Sequence, residues 1–494
     1  MLTRTDQVEI EFIVAMKFPK IIKNSALYSI TTLLQKGAAF FLLPLYTAFL
    51  TPEDYGIVNV VTSVSSFLAV LIMMALNGAA TRFHYKNTDE EYRKVLWGTV
   101  TTIVFISSLG WGAVFFTLHR FLVDPFIGEI DFYPYAVIGL ANTIITPLYL
   151  LFQSYLQARQ EALHYSINTF SHFLVQVGLA VVFIAVYKMG AVGMLLSNVV
   201  TSLVFFLYVL IVYIPKIKIG INKQISKESF KYSLPLLPHQ ISIWSAGTID
   251  RLLLNGYKGE ATTGIYSVGQ QFGQVVGTIA YSVNQAFVPW FFQMIEKGKE
   301  GFRKIEKMGL VSVIGYSLIA FAISLFAPEI LRVMVSERFR EAWQVIPLLT
   351  FAFVFHGVYF FFINILFVKD TGWVFVVTLA SMVVDIVASI VLIPIMGFWG
   401  AGIACFLTYF SRSIFALILS KKKNRDINYN AVAMFLIPIL FLLLSVVNWP
   451  LKTLPFAWSF LIKLVFCAVL AFLFYWKYKE SILELVQQFK KRGS

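Results

Sequence analysis

Apolar runs of bilayer-crossing length recur from one end of this chain to the other, and this constrains its fold more than any other feature. Fourteen such runs are readable, at 25–49, 56–79, 95–117, 133–157, 165–187, 191–214, 232–255, 263–290, 308–327, 343–367, 373–393, 398–420, 431–448 and 456–476. About 20 mostly apolar residues suffice to cross the hydrocarbon core as a helix. Lipid offers no partner for backbone polar groups, so such runs form helices. A membrane β-barrel would instead show alternating segments of roughly 10 residues. The connections are short and leave no room for a soluble domain. The expected fold class is therefore an all-α polytopic membrane protein with about 14 transmembrane helices.

Composition agrees: 58% of the 494 residues are hydrophobic and 13% are charged, and the mean hydropathy is +0.76. A net charge of +14 raises nucleic acid as a partner to be weighed. The placement of the basic residues excludes that reading, because they sit in the short loops between apolar runs. Counted by side, 29 Lys and Arg lie at the termini and in alternate loops, against seven in the remaining loops. The positive-inside rule puts the larger set, and both termini, in the cytoplasm. Cys405 and Cys467 both fall inside apolar runs, so no disulfide framework or metal site is indicated. The mixed-charge opening segment and the long first run do not read as a cleavable signal, and Met16 is an alternative translation start.

Two landmarks suggest an internal duplication. Tyr55-Gly56-Ile57-Val58 opens span two and Thr263-Gly264-Ile265-Tyr266 opens span eight, an offset of 208. Met189-Gly190-Ala191-Val192-Gly193 joins spans five and six, while Met396-Gly397-Phe398-Trp399-Gly400 joins spans eleven and twelve, an offset of 207. A repeated six-helix unit keeps its orientation, so the copies are expected to be related by an axis along the membrane normal. The expected organisation is a cytoplasmic N-terminus at 1–24, an N-lobe at 25–220, a C-lobe at 221–420, two further helices at 421–477 and a cytoplasmic tail at 478–494. Residues 480–491 read as a short helix on the cytoplasmic surface.

Four stretches taken together, LPLYTAFLTPEDYGIVNV, ALNGAATRFHY, TIDRLLLNGY followed by GIYSVGQQF, and MGFWGAGIA, resemble polysaccharide flippases. These belong to the multidrug, oligosaccharidyl-lipid and polysaccharide exporter superfamily. The resemblance covers spans one to twelve. It implies a V-shaped pair of six-helix lobes working by alternating access. It also implies a polyprenyl-diphosphate-linked oligosaccharide as substrate, carried from the cytoplasmic to the outer leaflet of a prokaryotic cytoplasmic membrane. Polysaccharide assembly proteins are implied as partners, with a proton or sodium ion as a possible coupling cation.

The candidate site residues are polar groups inside apolar runs, where an ionisable side chain costs about 2.5–3.5 kcal/mol even on the mild insertion scale. Span one carries Asn24, Tyr28, Thr31 and Gln35 on one face, with Lys36 beside them. Lys36 lies too deep to snorkel easily and suits a diphosphate. Span seven holds Pro235, Pro238, His239 and the adjacent Asp250 and Arg251. The prolines are expected to kink it. Arg251 is a diphosphate candidate, and Asp250 either binds a coupling cation or is structural. His239 is expected to be buried and hydrogen-bonded rather than a proton carrier. Span eight adds Gln270, Gln271 and Gln274 as cavity-lining groups, and its Gly269, Gly273 and Gly277 read as close helix packing. Asp385 and Arg412 lie in spans eleven and twelve; they read as a structural pair, with Asp385 alternatively in ion coupling and Arg412 alternatively on the diphosphate. Arg82, after Asn77-Gly78, matches the arginine that follows span two in the family.

No cofactor is called for. The remaining histidines, His84, His119, His164, His172 and His356, show no metal-ligand spacing. No phosphate-binding loop or catalytic signature is present, so a transporter is expected rather than an enzyme. A multidrug cation antiporter of the same superfamily would call for an acidic cavity, whereas the candidates here lean basic. A peptidoglycan-precursor flippase is a neighbouring alternative. A polysaccharide polymerase would need a large external loop, which this chain lacks.

Overall fold

The computed structural model describes residues 27, 31, 40–369, 372–423, 426–446 and 456–493. Among these there are helices and connections but no strands. The chain begins with a short helix α1 (Leu43–Phe49) and then α2 (Pro52–Met73). Thr51 and Asp54 form a reciprocal cap at the start of α2, the Thr51 hydroxyl accepting from the Asp54 N–H at 3.1 Å and Asp54 Oδ2 accepting from the Thr51 N–H at 3.2 Å. Left-handed Met74 and Ala75 end α2 and lead into α3 (Leu76–Lys86). Then come α4 (Glu90–Thr117), α5 (Val137–Ala158), α6 (Ala162–Val181) and α7 (Gly190–Val212).

The amphipathic α8 (Lys223–Ser233) connects to the rest of the chain. It is followed by α9 (Leu237–Ser245), α10 (Ile249–Glu296), α11 (Lys299–Met334), α12 (Ile346–Lys369), α13 (Gly372–Met396) and α14 (Phe398–Lys423). Two last helices, α15 (Ala431–Ser445) and α16 (Phe456–Gly493), complete it. The surface helix expected at 480–491 is instead the end of α16, because no Gly or Pro interrupts 456–492. Deep in the structure α16 is pinned to α11 by Lys463, 1% exposed, whose ammonium lies 2.7 Å from Glu329 Oε1.

Ten helices are long and apolar enough to cross a membrane among the described residues, and the protein is a multi-pass membrane protein. The other four apolar runs have separate explanations. Span one lies mostly outside the described residues. Span seven is broken, span eight belongs to a long helix bent at Gly259, and span thirteen is a 15-residue helix.

The apolar packing has two main centres. One surrounds Trp97, Phe152, Tyr155 and Tyr213, from α4, α5 and the end of α7. The other surrounds α12, whose Phe351, Phe355, Phe361 and Phe362 are buried among residues of α10, α11, α14 and α15. The spacing of Gly269, Gly273 and Gly277 works as read from the sequence. A Cβ there would lie 2.8 Å from Val345, 2.8 Å from Phe353 and 2.4 Å from Phe353, respectively.

Between the two centres α2 crosses α10, and the crossing falls at the repeat landmarks. A Cβ on Gly56 would come within 2.0 Å of the Glu260 carbonyl oxygen, and one on Gly264 within 2.0 Å of the Pro52 carbonyl oxygen. Each glycine therefore receives the backbone of the helix that carries the other. The second landmark pair also matches in conformation, with φ of +56° at Gly190 and +58° at Gly397.

Candidate functional site

The site is organised around a break in the helix that the sequence suggested would kink at its prolines. Pro238 sits in the first turn of α9, where no backbone N–H is needed, and so does not disrupt it. At Pro235 the α-helix gives way to a 3-10 turn, Leu234–Leu236, between α8 and α9, and the chain opens further on at Ala246, Gly247 and Thr248. Gly247 has φ +82°, a conformation open to glycine at little cost. The break frees backbone groups inside the bundle, and these need partners. Gln270 Nε2 supplies one, donating to the Gly247 carbonyl at 2.7 Å.

Both candidate acids stand at this break. Asp250 lies in the first turn of α10, where the helix dipole favours a carboxylate, and is 0% exposed. Its Oδ1 accepts from the Arg251 N–H at 2.9 Å, and its Oδ2 accepts from the Tyr266 hydroxyl. A solvated pair at the membrane interface is therefore excluded for Asp250. Asp385, 1% exposed on α13, accepts from Ser245 Oγ at 3.1 Å and Thr408 Oγ1 at 2.8 Å.

The expected structural pairing of Asp385 with Arg412 is not formed. Arg412, 4% exposed, donates from Nε to Ser381 Oγ at 2.9 Å, and its guanidinium carbon lies 5.3 Å from the centre of the Tyr409 ring. Its Nη2 is buried with no hydrogen-bond partner. The hydroxyls of Ser245 and Thr408 each donate to one oxygen of Asp385, while Arg412 donates to Ser381. Arg251 reaches from α10 to α2, donating from Nη1 to Asn59 Oδ1 at 3.1 Å, and its Nε is likewise buried without a partner. Neither guanidinium forms an ion pair among the described residues.

His239 is half-buried rather than buried, with Nδ1 3.0 Å from Thr378 Oγ1. Gln271 is half-buried beside Tyr55 on α2, and Gln274 is exposed. Arg82 is exposed on α3 with its guanidinium 4.6 Å from the Tyr232 ring centre, away from the break. Asn24, Tyr28, Gln35 and Lys36 lie outside the described residues. The structure thus gathers Asp250, Asp385, Gln270 and Arg412 around one break, sets Arg251 at the seam with α2, and leaves Arg82 and Gln274 apart. The sequence reading missed Tyr266, Ser245, Ser381, Thr408 and Asn59 as partners. A signal existed on α13, where Thr378, Ser381, Asp385 and Ser389 recur every three or four residues and are all buried.

Comparison with known proteins places this arrangement. Residues 21–295 match the family model described as "Polysaccharide biosynthesis protein", more than half of the chain. The chain belongs to the polysaccharide biosynthesis protein family. Residues 235–391, which contain the break, also match the MatE family model. One relative of this polysaccharide biosynthesis protein is "Lsg locus putative protein 1" of Haemophilus influenzae, 23% identical over 306 residues, with 59% of this chain and 71% of the relative covered. Among solved structures, "Lipid II flippase MurJ, inward closed conformation" superposes with a TM-score of 0.72 at 13% identity, covering 92% of this chain and 100% of that one. An inward-facing multidrug resistance MATE family transporter superposes with a TM-score of 0.59 at 16% identity, covering 82% and 97%. These likenesses show the fold of the exporter superfamily, and with the family match they bear out the resemblance read from the motifs.

Proposed function

We propose that this protein flips a polyprenyl-diphosphate-linked oligosaccharide from the cytoplasmic to the outer leaflet of a prokaryotic cytoplasmic membrane, for cell-surface polysaccharide assembly. The observation that carries the reading is the state of Arg251 and Arg412. Both guanidinium groups sit at or near the helix break, neither forms an ion pair among the described residues, and each keeps a buried N–H without a hydrogen-bond partner. An unpaired buried charge costs several kcal/mol, and an anionic ligand offsets that cost. A diphosphate offers the geometry that guanidinium groups bind best. Lys36 joins this set in the proposal, as does Arg82 on the entry side. A multidrug cation would meet arginine where it needs acid, which disfavours that reading.

Alternating access would come from rocking of two lobes, 25–220 and 221–420, with both termini in the cytoplasm. The duplicated glycine crossing supports a paired arrangement. Asp250 and Asp385 are proposed to carry the coupling cation, a proton or sodium ion, because both are buried carboxylates held by hydroxyls beside the break at Gly247. The decisive experiment is flipping of an undecaprenyl-diphosphate-linked sugar in reconstituted vesicles. Arg251→Ala, Arg412→Ala and Lys36→Ala should each slow it by about 10- to 100-fold, the scale of one lost charge-assisted hydrogen bond. Wild-type rates in the arginine variants would remove the assignment.

A further inference from the structure

The first half contains a polar notch that the diphosphate reading does not use. It is a cavity of about 20 Å³ where α2, α5 and α7 meet, and its polar lining is Thr62, Ser65, Asn142 and Asn198. That volume suits a single water-sized group. No charged side chain lines it.

The hydrogen-bonding pattern orients both amides. Asn142 Oδ1 accepts from Ser202 Oγ at 2.7 Å and from Thr146 Oγ1 at 3.2 Å. Asn198 Oδ1 accepts from Gln176 Nε2 at 2.6 Å. Both carbonyl oxygens are therefore engaged, and the NH₂ groups are what the amides can offer to a ligand. The Thr62 and Ser65 hydroxyls add groups that donate or accept. A neutral oxygen that both donates and accepts uses every group of this set, hydroxyl lone pairs included; a cation does not match it, because both amide oxygens are engaged.

The notch also has an outlet in the right place. Thr62 is exposed, and on α2 it lies between Asn59, which bonds Arg251, and Ser66, whose hydroxyl accepts from Trp244 Nε1 at 3.0 Å. Asn59 and Ser66, two turns apart, share the face of α2 turned to the second half, and Thr62 flanks that face. The mouth therefore opens beside the seam at which Arg251 stands.

We propose that this notch is a hydroxyl-binding subsite for the carbohydrate portion of the substrate, a reading that rests on the flippase assignment above. One sugar hydroxyl enters, its oxygen accepting from the Asn142 and Asn198 NH₂ groups and its proton going to Ser65 or Thr62. The sugar ring stays outside in the crevice, and the diphosphate lies toward the arginines. The two halves thus read different parts of one molecule.

The test compares binding of undecaprenyl diphosphate with that of undecaprenyl-diphosphate-linked N-acetylglucosamine to the purified full-length protein. Asn142→Ala should weaken the sugar-bearing lipid about tenfold and leave the bare lipid unchanged, as expected for buried hydrogen bonds lost on one probe only. Thr62→Val, at an exposed position that does not threaten folding, should show the same selectivity with a smaller loss of about threefold. Equal weakening of both probes, no weakening of either, or a wild type that does not distinguish them would overturn the subsite and leave the notch as the seat of a structural water. A wild type that binds neither probe would instead sink the flippase reading, and the subsite with it.

Discussion

The two halves of the molecule bury polarity in different forms. In the first half the interior groups are amides and hydroxyls, and they answer one another: Ser202 and Thr146 serve Asn142, Gln176 serves Asn198, and Gln153 donates to Thr169 at 2.6 Å. The second half has such neutral pairs too, among them Asn364 donating to Asn284 at 2.8 Å, and adds buried ions to them. Asp250, Asp385 and Arg412 are each at most 4% exposed, and the acids are held by hydroxyls rather than by the arginine. Neutral clusters of this kind are settled at rest. Buried ions that are not joined in direct ion pairs carry a standing cost, which a ligand or a movement can relieve. The contrast separates a half suited to holding a neutral shape from one suited to responding to charge.

The strongest way to break this contrast is at the helix crossing on which both halves meet. Gly56→Leu should abolish transport, since the added side chain has the Glu260 backbone, not a flexible neighbour, in its path. Spin labels on α2 and α10 should report a wider separation than in the wild type, and an unchanged distance with full activity would refute the crossing as a close contact that transport needs. Next in size, Arg412→Ala should lower flipping by about 10- to 100-fold while Asn142→Ala lowers it by no more than about tenfold, following the larger worth of hydrogen bonds to charged groups. Equal losses would erase the distinction between the halves.

Asp385→Asn should be milder for folding, because an amide oxygen still accepts from Thr408 or Ser245. It should nonetheless flatten the dependence of transport on the imposed proton or sodium gradient. A gradient response like that of the wild type would show Asp385 to be structural only.

The smallest effect concerns His84, beyond the end of α2 and 3% exposed, which accepts from Trp97 Nε1 at 3.1 Å. Burial, assisted by the charge of Arg93, lowers its pKa to about 4. The fold therefore favours neutral imidazole. Its contribution is complete above the ordinary histidine pKa of about 6.5, and it shrinks as pH falls from there toward about 4. A melting series over that range should show a steeper decline for the wild type than for His84→Gln.

Much of this was legible in the sequence because length and apolarity decide which segments cross a bilayer. The ends of α4, α5, α7 and α13 fall within a few residues of the runs read from composition. The three spaced glycines of α10 were assigned correctly to packing, since close approach needs only the absence of a side chain. The interruption at Pro235 was legible because prolines are conspicuous, whereas the second opening at Gly247 was not. Gly247 gave no local sign, as its conformation is fixed by Gln270, 23 residues away. The partners of Asp385 were out of reach for the same reason: Ser245 lies 140 residues earlier in the chain. Spacing shows which face of a helix is polar, but not which other helix meets it.

The reciprocal seating of Gly56 and Gly264 bears on ancestry. A half-length chain carrying this glycine presents a surface that accepts a second copy of itself, with each backbone entering the hollow of the other. Gene fusion would then have tethered two partners that already fitted, and freed each to drift toward its own ligand chemistry while the shared contact kept them in register.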